Sequence, residues 1–265
     1  MCAILKTMSD KARDNSTFRT GRLPLIDTLR GLTLLSMVAY HGLWDLVWLR
    51  GFPAAWYRGT PGFVWQQSIC LSFILISGFC IPFSKRRLRR GLMVSAAGLL
   101  VTAVTLLVLP ENRVVFGVLS FLGAAMLCMA LAEKPFFSRI PAAIGLVASV
   151  ALFAFFRLCN EGGFGLFFLR LGDFPAAWYR DLRTAALGFP PASFFSTDYF
   201  SFLPWIFWFL TGYFLSRLFA QCGLLQNALW QRESRVLSWL GRHALAIYLL
   251  HQVILYALLV LPFAG

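Results

Sequence analysis

Residues 26–49 read Ile26-Asp27-Thr28-Leu29-Arg30-Gly31-Leu32-Thr33-Leu34-Leu35-Ser36-Met37-Val38-Ala39-Tyr40-His41-Gly42-Leu43-Trp44-Asp45-Leu46-Val47-Trp48-Leu49. The stretch is long and apolar enough to cross a hydrocarbon core of ~30 Å as a helix of ~20 residues. Four ionisable residues interrupt it: Asp27, Arg30, His41 and Asp45. At ~100° per residue, the eleven steps from Arg30 to His41 close to within about 20°, and Asp27 and Asp45 each fall about 60° from Arg30 on the same side. One stripe therefore holds all four. Facing lipid, each charge would cost ~2.5–3.5 kcal/mol near a helix centre, so the stripe must face other helices or a water-filled cavity. The rise from Arg30 to His41 is about 16 Å. His41 and Asp45, as i,i+4 neighbours, are spaced for a direct hydrogen bond. The competing readings are an Asp27–Arg30 pair at the helix end, and a His41 that simply bonds another helix.

Working outward, the composition agrees with a membrane span. Hydrophobic residues make up 59% of the 265-residue chain and charged residues 13%, whereas a soluble domain carries about 25% charged residues. This excludes a soluble enzyme, a disordered tail and a secreted disulfide scaffold. The net charge of +13 is that of a membrane protein obeying the positive-inside rule and attracted to anionic lipid. No residue pattern favours nucleic acid. The six cysteines (Cys2, Cys70, Cys80, Cys128, Cys159, Cys222) have no metal-type spacing and read as small hydrophobes.

The expected fold is an all-α polytopic transmembrane helix bundle of about seven spans: Ile26–Leu49, Phe63–Phe83, Leu92–Leu109, Val114–Ala132, Ile140–Leu158, Phe200–Ala220 and Val236–Leu261. The short apolar patch Phe164–Leu171 reads as a re-entrant or interfacial piece. Residues 1–24 form a polar N-terminal segment and residues 25–262 the transmembrane domain. Lys85, Arg86, Arg87, Arg89 and Arg90 follow the second span and place that loop in the cytoplasm, and with it the N-terminus carrying Lys6, Lys11, Arg13, Arg19 and Arg22. Pro204 and Gly212 are expected to bend or closely pack the sixth span. His243 reads as structural or donor-facing.

One heptapeptide occurs twice: Phe52-Pro53-Ala54-Ala55-Trp56-Tyr57-Arg58 and Phe174-Pro175-Ala176-Ala177-Trp178-Tyr179-Arg180. Both copies follow a span on the same side. They read either as interface anchors, for which amphipathic rings are suited, or as the trace of a duplicated two-span unit.

The segment from Arg22 through Asp27, Arg30, Gly31 and Met37-Val38-Ala39-Tyr40-His41 to Asp45 resembles the opening motif of the heparan-alpha-glucosaminide N-acetyltransferase catalytic-domain family. The Arg30-to-His41 spacing is similar to a signature of the wider transmembrane acyltransferase group. Further similarities are Leu71-Ser72-Phe73 with Ser77-Gly78, Phe116-Gly117-Val118-Leu119, Asp198-Tyr199-Phe200 with Leu203-Pro204-Trp205 and Gly212, and the closing run Leu240-Gly241-Arg242-His243 to Tyr248-Leu249-Leu250-His251-Gln252. The chain departs from the family at Ser120, where a histidine is frequent, and at Ala244, where bacterial members often have serine.

The resemblance implies an integral membrane acyltransferase of the cell (inner) membrane. It would move an acetyl group from cytoplasmic acetyl-CoA, with no metal, to a sugar-type hydroxyl or amine of a small-molecule or glycan acceptor on the far side. Neutral histidine can serve there as base or as nucleophile. His41 is expected to do so, with Asp45 orienting its ring and stabilising the imidazolium. Arg30 would meet the donor phosphates or position Asp27. Ser77, Ser120, Asp198, His251 and Gln252 are further candidates for binding donor or acceptor. Two other classes stay open. A carrier or flippase for a polar metabolite or lipid-linked sugar would also need a buried polar stripe, and a haem protein could use His41 and His251 as axial ligands.

Overall fold

A computed structural model describes residues 22–259. Lys6, Lys11, Arg13, Arg19, Cys2, most of the N-terminal segment and the expected end of the last span lie outside the described residues. The protein is an all-α polytopic membrane protein with one small hairpin. Among the described residues, five helices are long and apolar enough to cross a membrane, and a bent helix pair makes up to a sixth.

The described chain divides into two compact units. The first comprises residues 22–76 and 225–259. Its α1 (Pro24–Trp44) opens with proline at the first helical position, where a missing N–H costs nothing. It continues as a wider, π-helical turn over Asp45–Leu49. A short α2 (Ala55–Arg58) and then α3 (Thr60–Phe79) follow, the last turn of α3 belonging to the other unit. The chain returns through α9 (Arg235–Arg242) and α10 (Ala244–Leu259).

Both returning helices pack on α1. A Cβ on Gly31 would overlap the Leu237 carbonyl oxygen, and one on Gly241 the Asp27 carbonyl, so the α1–α9 crossing is as close as backbones allow. Small residues permit such approach in membranes. Thr28 Oγ1 meets Ser238 Oγ at 2.8 Å in the same contact. Along α10, Ala244, Ile247 and Tyr248 pack against Leu34, Met37 and Ile69.

The second unit runs from Ser77 to Leu224 and contains α4 (Arg87–Val108), α5 (Val118–Ala132), α6 (Ala142–Phe156), the strands β1 (Gly163–Leu166) and β2 (Leu169–Asp173), α7 (Leu182–Ala185) and α8 (Phe202–Gln221). Helices α4 and α5 interlock through small residues: a Cβ on Gly98 would lie 2.7 Å from the Ser120 nitrogen, and Gly123 faces Ser95 in the same way. Helices α6 and α8 pack through Gly145 against the Phe214 ring, Thr211 Oγ1 donating to Ser149 Oγ at 3.0 Å, and Phe153 against Trp205 and Trp208. Gly212 is buried inside α8, and Pro204 stands in its first turn beside the non-helical Leu203, where the helix bends.

Three expected elements differ. Val236–Leu261 is broken: α9 and α10 meet at 87°, because the His243 N–H turns back to the Trp239 and Leu240 carbonyls and its Nδ1 bonds Trp239 O at 2.8 Å. Val114–Ala132 is helical only from Val118, fifteen residues or about 22 Å. Its first part bends, with Phe116 at φ +54°, and is held by Val115 N–H donating to Ser196 Oγ and by the Phe116 carbonyl accepting from Phe200. Phe164–Leu171 forms an antiparallel hairpin with Phe167 at φ +54°, in the left-handed region.

Candidate active site

The stripe on α1 resolves into two clusters. At its start, Asp27 accepts from Arg22 (Nη2 at 2.6 Å, Nε at 2.8 Å) and from Arg30 Nη1 at 3.1 Å. Two guanidiniums on one carboxylate leave a local surplus of positive charge. The Asp27–Arg30 pair expected from the spacing is thus present.

Three turns further, His41 and Asp45 meet α10. His41 Nδ1 lies 2.9 Å from the Met37 carbonyl oxygen. A carbonyl only accepts, so the neutral ring carries its proton on Nδ1 and a lone pair on Nε2. His251 repeats the arrangement, with Nδ1 at 2.6 Å from the Tyr248 carbonyl. The two rings touch edge to face, centroids 4.9 Å apart and planes at 77°. Rings in direct contact leave no space for a porphyrin between them, which removes the haem reading. His251 is 8% exposed, and its Nε2 has no hydrogen-bond partner among the described residues.

Asp45 is 0% exposed. Its carboxylate accepts from Gln252 Nε2, at 2.9 Å to Oδ1 and 3.2 Å to Oδ2. The direct His41–Asp45 bond expected from the i,i+4 spacing is not formed. The Nδ1 proton of His41 is already given to the Met37 carbonyl, and the carboxylate is taken by the amide. Gln252 Oε1 is left buried and without a partner among the described residues.

The turn that holds Asp45 is tied from outside α1. Tyr57, buried in a cluster with Val47 and Ala54, donates its hydroxyl to the Tyr40 carbonyl at 3.1 Å. Burial pushes the Tyr57 phenol well above its usual range, with the Tyr40 hydrogen bond adding to the effect, so it stays a neutral donor. Arg58 reaches the Val47 carbonyl and lies 4.6 Å above the Trp48 ring. Tyr57 was visible in the sequence only as part of the repeated heptapeptide.

The structure therefore brings His41, Asp45, His251 and Gln252 together, and places Asp27 and Arg30 together at the start of the same helix. Ser77, Ser120 and Asp198 belong to the other unit. Ser120 stands at the α4–α5 crossing against Gly98. Asp198 Oδ2 accepts from the Val118 N–H at 3.1 Å, capping the start of α5.

Residues 22–253 match the family described as heparan-alpha-glucosaminide N-acetyltransferase, catalytic. The chain belongs to this family. It is a membrane protein of an acetyltransferase family, and the match covers both helices that carry the histidine pair, from Arg22 to the residue after Gln252. Neither the curated proteins nor the solved structures gave a match. Within this heparan-alpha-glucosaminide N-acetyltransferase fold, the candidate active site is the contact of α1 with α10.

Proposed function

We propose that the protein is an acyltransferase of the cell (inner) membrane. It would move an acetyl group from cytoplasmic acetyl-CoA to a hydroxyl or amine of a sugar-type acceptor presented on the far side. The observation that carries this reading is the pair of touching imidazoles, each with Nδ1 committed to a backbone carbonyl, and with the buried His251 Nε2 without a partner among the described residues. Acyl transfer needs a nitrogen able to accept a proton or an acyl group, and a place for the acceptor's own proton to go.

In this reading His41 Nε2 attacks the thioester carbonyl, the carbon–sulfur bond breaks, and coenzyme A leaves as a thiolate that is then protonated. The acceptor's oxygen or nitrogen attacks the resulting acyl-imidazole and gives its proton to His251 Nε2. The acyl–nitrogen bond breaks, returning neutral His41, and His251 releases its proton to water, which balances the proton that water supplies to the thiolate. Gln252 Oε1 offers a second acceptor for a donor group on the incoming molecule. Asp45 acts through its charge, one helical turn from His41, and is held in place by Gln252. Arg22 and Arg30 around Asp27 supply the positive end of α1 toward the anionic donor.

The test is incubation of inside-out vesicles with acetyl-CoA labelled in its acetyl group, wild type against His41→Ala and His41→Gln. Label passing to protein, lipid or glycan only when His41 is intact supports the reading. Equal labelling in all three overturns the role of His41. The broken α9–α10 pair also suits a carrier. Uptake of a polar solute without any covalent label would favour that reading.

A further inference from the structure

The β1–β2 hairpin joins the end of α6 to the second heptapeptide, and no step of the proposed reaction uses it. Its strands pair Leu166 with Leu169, Gly165 with Arg170 and Phe164 with Gly172, with a bulge between Phe164 and Gly165. The pairing puts Leu166 and Leu169 on one face and Gly165 with Arg170 on the other, and Leu171 is the extra residue of the bulge. Arg170 lies over the other face: a Cβ on Gly163 would sit 2.7 Å from its Nε, and its guanidinium pairs with Asp173. The hairpin is thus two-faced, with an ion pair on one side and leucines on the other.

The apolar side is uncovered. Phe168 is 79% exposed, Leu169 62%, and Leu166 and Leu171 are exposed with them. Water would oppose such a cluster. The tip is not a glycine turn either, since Phe167 holds the left-handed conformation at φ +54°, which glycine would take more easily.

Depth decides what covers this face. The Phe167 N–H donates to the Ala154 carbonyl at 3.1 Å, and Phe164 stacks on Phe155. The membrane-crossing segment to which α6 belongs continues to Glu161. Ala154 lies in the last turn of α6, and a turn and a 3₁₀ turn carry the segment on to Glu161, so the hairpin tip is pegged inside the end of that segment. Leu152 is exposed in the same part of α6, and Ile144 and Val147 are exposed toward its start. The tip amide is satisfied by Ala154, as a backbone donor entering hydrocarbon must be.

We propose that this hairpin dips into the leaflet at the C-terminal end of α6, with Phe168, Leu166, Leu169 and Leu171 among the acyl chains and the Arg170–Asp173 pair at the headgroups. The surface holds lipid whatever the acyl acceptor proves to be. The test is photocrosslinking of the full-length protein in vesicles of phosphatidylethanolamine and phosphatidylglycerol. Benzoyl-phenylalanine is placed in turn at Phe168, at Val147 on the outward face of α6, and at Asp173 on the polar side. Lipid adducts read by mass spectrometry at Phe168 should come within about twofold of Val147 and exceed Asp173 by about tenfold. A protein–protein crosslink from Phe168, or adducts no more frequent than at Asp173 while Val147 labels normally, would overturn the proposal.

Discussion

Gln252 Nε2 donates to both oxygens of Asp45, joining the last helix to the first through a carboxylate that solvent does not reach. An amide bound in this way leaves its own oxygen free to meet a substrate donor. Gln252→Leu removes the amide and leaves the buried Asp45 carboxyl without that donor, a loss of about 1–3 kcal/mol for such groups. Asp45→Asn keeps an amide–amide bond and should unfold nearer to wild type while losing acyl transfer. Thermal unfolding in detergent beside labelled-acetyl transfer separates the two. Equal destabilisation by both substitutions would contradict the pairing.

The two histidines divide the reaction. His41→Gln should abolish labelling of protein and acceptor alike. His251→Gln should keep label on the protein and slow its passage to the acceptor by about 10²–10⁴, the usual contribution of a positioned base. A single-turnover assay with and without acceptor reads both. Loss of the first half-reaction in His251→Gln would assign the base role elsewhere.

At the α1–α9 crossing, Gly31→Val forces a side chain into the Leu237 carbonyl. Overpacking of this kind costs about 1–3 kcal/mol, and the unfolding midpoint should fall accordingly. Gly59→Ala is the control. Its Cβ would find only ordinary contacts, the nearest at 3.6 Å, and its φ of −100° suits any residue.

Helices α1 and α10 run in the same direction: Met37 lies beside Ala244 and Ile247, His41 beside His251, and Asp45 beside Gln252. Two spans pointing the same way must be separated by an odd number of crossings. If α3, α4, α6 and α8 all cross, the fifteen-residue α5 would have to cross as well, which would give the seven spans expected from the sequence. Reporter fusions after Asn112 and after Lys134 should fall on opposite sides of the membrane. The same side for both would remove α5 from the count.

Alkaline stability follows from two tyrosines outside the spans. Burial pushes the Tyr179 phenol up to about 12 and raises that of Tyr199, and both donate to backbone carbonyls, of Cys159 at 2.6 Å and Ala185 at 2.5 Å. The unfolded phenol ionises near 10. Above about pH 10 the unfolded chain therefore holds fewer protons than the folded one, and stability falls as pH rises; below it these groups contribute no slope. Tyr179→Phe should lower stability at neutral pH and flatten the decline between about pH 10 and 12. An unchanged slope in unfolding curves would show that Tyr179 is not held neutral by burial.

Long helices were legible because apolar length alone decides them, as in Arg87–Val108 and Phe202–Gln221. The break at His243 was not, because Gly241-Arg242-His243 sits in an apolar run without proline. The hairpin was hidden by phenylalanine at the tip where a glycine would have announced a turn. At the site, the residue types on α1 were readable and their partners were not. Spacing offered His41 to Asp45, but each found a stronger local claim, the Met37 carbonyl for one and the Gln252 amide for the other. The meeting of His41 with His251 depends on helix packing, which no local pattern encodes.

The twin heptapeptides adopt different backbones, an α-helical turn at Ala55–Arg58 and a 3₁₀ turn at Ala176–Tyr179. In both, the tyrosine hydroxyl is fastened to a carbonyl of the preceding span, Tyr40 in one case and Cys159 in the other. What recurs is therefore a fastener rather than a shape: seven residues whose product is one phenol delivered to one backbone carbonyl. Such a cassette is portable. Grafted behind any helix that ends with a spare acceptor, it should clip the outgoing loop to the span it has just left.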